Sequence, residues 1–510
     1  MKKFTLLALA IMASATSFAQ TTLWDGENTE ITNKNDNAGF WGDGSPVLVE
    51  NPEKDGINTS SKCIKFTMTN NENKMVKLPF GEWFKESMNG RKRISLMIRK
   101  NGNENVMVEL SDPTDGSAGY WNKQVVYYTG AGKWQKLVFD YTANDDFDNP
   151  GLMTITAQTG DVNDNQDVYI DNIVIEDAPK INGKLFSEYN AENKLTGDVK
   201  LTGAWMKGSS MNANVSPWQA NTYNDYEYFY SLADNITSVD LREAQASDVD
   251  VNQFFKNPNT IVYANEAYDH VNVVANQTFK NANNEEVTAL YAAKGLELTD
   301  ADAYAYAFSC PEAFTAANVK LTRAVREGIN SFVLPFYAGA DELGAEALAT
   351  FKEADGQSLV FTKADHAEAN VPFITVGLKN AADKKEFTFN DNLKYVEATP
   401  TEFTAPFKGV YAPQSAKGLY GINGNGDLQI GGTDAKINAF HAFYQAAEGQ
   451  AAPAKISFEG EATGINNVAA ATVANGAVYD LSGRRVAEKL AGASLVKGIY
   501  VVNGKKVVIK

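Results

Sequence analysis

The chain has 510 residues, with 63 Asp and Glu against 46 Lys and Arg, three His and a formal net charge of −17. At roughly 150 residues per domain there is room for about three domains, each able to bury a core, and 21% charged with 44% hydrophobic residues excludes wholesale disorder. The acid excess repels phosphate backbones and anionic lipid, so nucleic acid is not an expected partner, and three scattered His leave little material for a His-rich metal site.

Residues 1–19, MKKFTLLALAIMASATSFA, read as a secretory signal peptide. Lys2 and Lys3 form the positive end, Phe4 to Met12 the apolar stretch, and Ser17-Phe18-Ala19 the small-residue cleavage site. The apolar run falls far short of the ~20 residues that span a bilayer, and no later stretch is long and apolar enough, so an exported protein without a membrane-spanning segment is expected.

Residues 20–178 hold five of the seven Trp (Trp24, Trp41, Trp83, Trp121, Trp134) and short β-rich runs such as CIKFTM, ISLMIRK, VMVEL, KLVFDY and VYIDNIVI. Gly, Asn and Asp separate these runs, which predicts an antiparallel sandwich. In 180–464 the runs NITSVDLREA, NTIVYAN, HVNVVAN, NSFVLPF, SLVFT, VPFITVG and AKISFEG read as strands, while DELGAEALATFKEADG has the Ala, Leu and Glu content of a helix. A soft boundary near Phe314–Asn318 leaves this region as one long unit or two smaller ones. The last segment, 465–510, carries seven Lys and Arg against two acids and is electrostatically distinct from the acidic body. Cys63 and Cys310 fall in different predicted domains and read as buried free thiols.

Catalytic signatures are sparse. His270, His366 and His441 have no second His, Cys or ordered acid at ligand spacing, and no HExxH, CxxC or GxSxG occurs. His441 alternates with Phe440 and Phe443 as in a strand. GNGDLQ at 424–429 lacks the third Gly of a dinucleotide loop and reads as a hairpin turn. DVNDNQDVYIDN has Gln166 at the obligatory Gly position of a calcium-binding helix–loop–helix motif and reads as an acidic turn before a strand. Aromatic residues are the better candidates, because a sugar presents a flat apolar C–H face that stacks on Trp or Tyr. GFWGDG (Trp41), GEWF (Trp83) and GYWNKQ (Tyr120, Trp121, Asn122, Gln124) set rings beside Gly and polar residues as loops do, and Arg99 flanks the alternating ISLMI. For each of these Trp, packing is the competing role, and Trp134 reads as core.

Three resemblances add to this reading. LWDGE near the start, GKWQKLVFDY and a final DVYIDNIVIED make residues 20–178 similar to the galactose-binding-like jelly rolls found as carbohydrate-binding modules in secreted bacterial proteins. That resemblance implies a structural calcium, with Asp25, Glu27 and Asp171 at the matching places; otherwise no cofactor is expected. The middle region, through NITSVDLREA, FSCPEAFTAANVKLTRAV and INAFHAFYQ, resembles β-rich segments of large surface proteins from Bacteroidetes, some of which carry a leucine-rich-repeat-like portion; only NITSVDL hints at one here. The tail, with DLSGRRV, KGIYVV and KKVVIK in order, is similar to C-terminal sorting domains of type IX secretion substrates, which implies secretion machinery as a partner and an outer-membrane-surface or extracellular address.

The fold expected is mainly β: an N-terminal jelly-roll β-sandwich, a central β-rich region with little helix, and a small C-terminal β-sandwich. The function expected is non-catalytic carbohydrate binding by the jelly roll. The alternatives are a structural or adhesive surface protein, or a glycan-degrading enzyme with a carboxylate pair in 180–464.

Overall fold

The computed structural model describes residues 21–27, 46–54, 57–68, 75–79, 92–102, 105–111, 123–141, 152–157, 166–185, 188–206, 210–212, 224–247, 249–300, 306–390, 393–450, 452–460, 477–480, 484–490, 493–502 and 505–509. The protein is mainly β, as expected.

Ten strands build the N-terminal sandwich: β1 (Thr21–Trp24), β2 (Val47–Glu50), β3 (Lys62–Met68), β4 (Met75–Pro79), β5 (Lys92–Arg99), β6 (Asn105–Ser111), β7 (Lys123–Tyr127), β8 (Gln135–Asp140), β9 (Leu152–Ala157) and β10 (Gln166–Asp177). One sheet runs β2-β3-β10-β5-β8 with β1 also on β10, and the other contains β7-β6-β9-β4. Alternation explains the packing. Ile64 and Phe66 on β3, Ile94, Leu96 and Ile98 on β5, and Val106, Val108 and Leu110 on β6 all bury against one another between the sheets.

The sandwich does not end at Asp177. Ser210–Asn212 adds an antiparallel strand to the free edge of β7. The helix α1 (Asp225–Leu232), capped by Asn224, is also tied to the sandwich. Arg93 of β5, fully buried, donates from Nη2 to Asp225 Oδ1 (2.9 Å) and from Nη1 to Asp225 Oδ2 (3.0 Å) and Ala204 O (2.7 Å).

Beyond this joint the chain stacks parallel strands, Leu195–Met206, Ala233–Ser247, Ile261–Ala264 and Val273–Lys280. Val239 pairs with Val262 and, further on, Leu296 with Val319, a step of the same length in both places. Buried asparagines tie the rungs. Asn257 Nδ2 donates to Ile236 O and Ala307 O, and Asn259 exchanges hydrogen bonds with both backbone groups of Thr299. Asn272, at φ +60°, donates to Pro258 O and Glu297 O and accepts from Glu297 N.

One core runs from Ile261 to Phe440 without interruption at position 314. The stretch 341–354 is a turn followed by the strand Ala347–Ala354, which corrects the reading of the whole stretch as one helix and leaves only a turn at its start. That strand lies between Ser358–Ala364 and Phe373–Leu378, and two ladders outweigh the weak helical preference of Ala, Leu and Glu. GNGDLQ does form a hairpin, joining Tyr420–Ile422 to Leu428–Ile430. The tail folds as a four-stranded sheet with its own core of Val478, Tyr500 and Val502. Both cysteines are buried and unbridged. Among the described residues no helix is long and apolar enough to cross a membrane.

Candidate functional site

Trp41, Trp83, Tyr120, Trp121 and Asn122 lie outside the described residues. Gln124 is on β7 opposite Val108, so it shares the inward register with Val108 and is buried. Arg99 ends β5 on the outward side of the other sheet. Its Nε pairs with Glu53 Oε2 at 3.3 Å, and its guanidinium lies 5.5 Å from the centre of the Tyr169 ring. Glu53 also pairs with Lys133, and these two cations hold its carboxyl below the usual range. The structure therefore places Arg99 and Gln124 on different faces. Trp134 is core, with Nε1 donating to Glu53 O (2.8 Å) and Asn51 Oδ1 (3.1 Å).

The outward face of the five-stranded sheet has an arrangement that sequence reading missed. Register places Lys77 beside Thr154 and Thr154 beside Glu109, a polar row across three strands. Next to it, Thr156 pairs with Met107 and Met107 with Val125; Tyr127 follows on β7. Thr154 and Thr156 are buried in the middle strand, while Lys77, Met107, Glu109 and Tyr127 are half-buried. Hydroxyl, carboxylate and ammonium groups thus sit beside an apolar strip, the mixture that a carbohydrate's hydroxyls and C–H faces require. The signal was the odd-numbered alternation of VMVEL and the Thr pair in LMTITA, which reveals a face only once the partners are known.

Asp25, Glu27 and Asp171 come close to one another. The turn after β1 passes over a bulge in β10, where Asn172 takes φ +44°. Gly26 is required, since a Cβ there would fall 1.9 Å from Asp171 Oδ1. Asp171 is fully buried, and burial pushes its carboxyl up to about 6 against the hydrogen bonds that favour the charge. Those bonds come from Asn58 Nδ2 to Oδ2 (2.9 Å) and Asn172 N to Oδ1 (2.8 Å). Asp25 Oδ1 accepts from Glu27 N at 3.0 Å, and Glu27 Oε1 accepts from Ser61 N. Every one of these carboxylates accepts from a protein N–H. Among the described residues no group of three or more His, Cys, Asp and Glu is placed to hold a metal ion. As placed, the three acids are tied by hydrogen bonds into a clasp that joins the turn after β1, the 58–61 segment and β10.

The histidines are held in other ways. His270 stacks on Phe255, with ring centres 4.1 Å apart. His441 Nε2 lies 2.7 Å from Asp300 Oδ2, and Arg323 Nη2 lies 3.0 Å from Nε2 and 3.1 Å from Nδ1. Burial first, then the charge of Arg323, lowers His441 to about 4. The imidazole is thus held neutral between the Asp300 carboxylate and the Arg323 guanidinium. A cleft of about 240 Å³ in the central region is lined by Phe255, His270, Asn272, Glu297, Thr299 and Lys320 among others, below the usual size of small-molecule sites.

No protein-family model matches the chain, and no curated protein matches it. Among solved structures it is similar to a family 29 carbohydrate-binding module, at 13% identity over 31% of this chain and 87% of that one, TM-score 0.21. A family 11 carbohydrate-binding module from Clostridium thermocellum, in complex with a β-1,3-1,4-mixed-linked tetrasaccharide, matches at 14% identity over 31% of this chain and 94% of that one, TM-score 0.21. An exo-β-agarase matches at 14% identity over 31% of this chain but 25% of its own, TM-score 0.24.

Proposed function

We propose that this is an exported, non-catalytic protein that binds carbohydrate through its N-terminal sandwich. The observation that carries the reading is the outward face of the five-stranded sheet, where the row Lys77–Thr154–Glu109 adjoins Met107, Thr156 and Tyr127. In sequence, Tyr120-Trp121-Asn122 immediately precedes β7 of that sheet, which makes Trp121 the first stacking candidate, with Trp41 and Trp83 as further ones. The test is a glycan array probed with the full mature chain, because the 20–178 segment alone lacks the strand Ser210–Asn212. Binding to at least one polysaccharide class is expected, weakened on the order of tenfold by Trp121→Ala and by Glu109→Gln. Trp121→Ala and Trp41→Ala variants that melt lower but bind unchanged would point to a purely structural role, and silence across the array removes the proposal.

The export part of the reading rests on the opening lysines and apolar run and on the resemblance of the tail to sorting domains. It is supported by a tail that carries its own small core and a basic balance. Deletion of 465–510 is expected to leave a folded protein retained in the periplasm of a type IX-secreting host, measured by cell fractionation; normal surface appearance of the truncated protein sinks this part.

A further inference from the structure

The geometry points to a second binding surface, on the central region, that docks a cationic peptide segment through arginine or lysine side chains. The bridge between Phe336 and Val396 turns both of these residues into the core. Their neighbours Tyr337 and Tyr395 therefore stand opposite one another on the outward face, and they are 47% and 59% exposed. Cross-strand neighbours of this kind stand about 5 Å apart. The same row continues through Thr315 and Tyr291, the latter stacked on Phe279 at 4.1 Å. At the other end His366 stacks on Tyr337 at 4.9 Å.

Carboxylates surround this aromatic row. After burial, the charges of Glu368, Glu342, Asp341 and Asp365 hold the Tyr337 phenol above its usual range. Glu342 is neutralised by the buried Lys394 at 2.6 Å. Asp341, Asp365 and Glu368 form no ion pair with a lysine or arginine among the described residues, and Glu368 has only His366 at 3.7 Å. Asp341 lies over Gly339, the residue paired with His366, so its charge faces the same end of the row.

His366 stacks on the Tyr337 ring and Lys394 Nζ lies 5.9 Å from its centre, so the exposed Tyr395 beside it, near the unneutralised carboxylates, is the ring that complements a further cation. A guanidinium stacks on the ring while its N–H groups reach the carboxylates, and it gives up hydration more readily than most ions. A neutral sugar would use the rings and leave the charge unanswered, and an anionic ligand would be repelled. In an extended peptide, alternate side chains lie on one side about 7 Å apart, so arginines two residues apart reach adjacent parts of the row.

The test titrates the full chain with a fluorescent ten-residue peptide of alternating Arg and Gly, its Glu–Gly counterpart, and cellohexaose as a neutral competitor. The Arg peptide is expected to saturate with one site, to weaken two- to fivefold in Tyr395→Ser and in Glu368→Gln, and to weaken further in 0.5 M salt. The Glu peptide is expected to stay unbound. Melting curves establish that each variant is folded, and Tyr337→Ser is the second aromatic variant. Equal affinity in the wild-type and variant chains would mean that the overall negative charge alone attracts the peptide, and overturns the proposal. Displacement of the Arg peptide by cellohexaose, or absence of saturable binding, overturns it as well.

Discussion

Asp171 carries an electrostatic strain that solution pH can read out. Its carboxyl is raised to about 6 in the fold against an ordinary value of 3.8. The native state therefore holds a proton that the unfolded chain has released between these values. The contribution of Asp171 to stability is greatest below about pH 4, falls as pH rises to 6, and stays reduced above it, by on the order of 2–3 kcal/mol. Asp171→Asn is expected to flatten this part of the stability–pH curve, as measured by urea unfolding between pH 4 and 7. The grouping of Asp25, Glu27 and Asp171 was implied by the resemblance that LWDGE and DVYIDNIVIED carry. That Asn58 and the Asn172 amide take the carboxylate's oxygens could not, since these contacts depend on a bulge and a left-handed asparagine. Gln124 shows the same limit: its neighbours Trp121 and Asn122 suggest a polar loop, but its direction follows from pairing with Val108.

At the scale of elements, strands were legible wherever apolar residues alternate, as in ISLMIRK and KLVFDY. DELGAEALATFKEADG misled because composition reports a local preference worth tenths of a kcal/mol per residue, whereas two flanking strands supply backbone partners to its second half, Ala347–Ala354. The joint between the sandwich and α1 had no local signal, since Arg93 and Asp225 are far apart in sequence. Removing one partner leaves the other buried and charged. Arg93→Met or Asp225→Asn alone is therefore expected to cost about 3–5 kcal/mol in chemical denaturation. Replacing both with apolar residues of similar size should recover most of that loss, and a double variant as unstable as the singles would contradict this account.

Across the whole molecule, acid acts on the central region with the opposite sign. His441 is lowered to about 4 from 6.5, so the unfolded chain takes up a proton that the folded one refuses. Its contribution is fully present above pH 6.5 and is lost as pH falls toward 4, on the order of 3 kcal/mol. His441→Gln is expected to reduce the acid sensitivity of the central region, followed by hydrogen exchange of His441–Tyr444 and Val319–Val325 at pH 4.5 and 7. Steeper loss in the variant would refute the assignment. The broad β architecture, the distinct tail and the core of the sandwich were readable from alternation and charge. The outward sheet face was not, because Lys77, Glu109 and Thr154 are distant in sequence and become a row only through pairing across β4, β9 and β6.

The strand Ser210–Asn212 on the edge of β7 also has a mechanical meaning. Besides the backbone that leaves β10, the sandwich is held to the rest of the chain by this short antiparallel pair and the Arg93–Asp225 clamp behind it. Three residues of ladder offer little resistance by themselves. The buried ion pair adds a second, side-chain attachment at the same joint, so loosening of that joint would free the edge of the sheet whose outer face is proposed to hold the sugar.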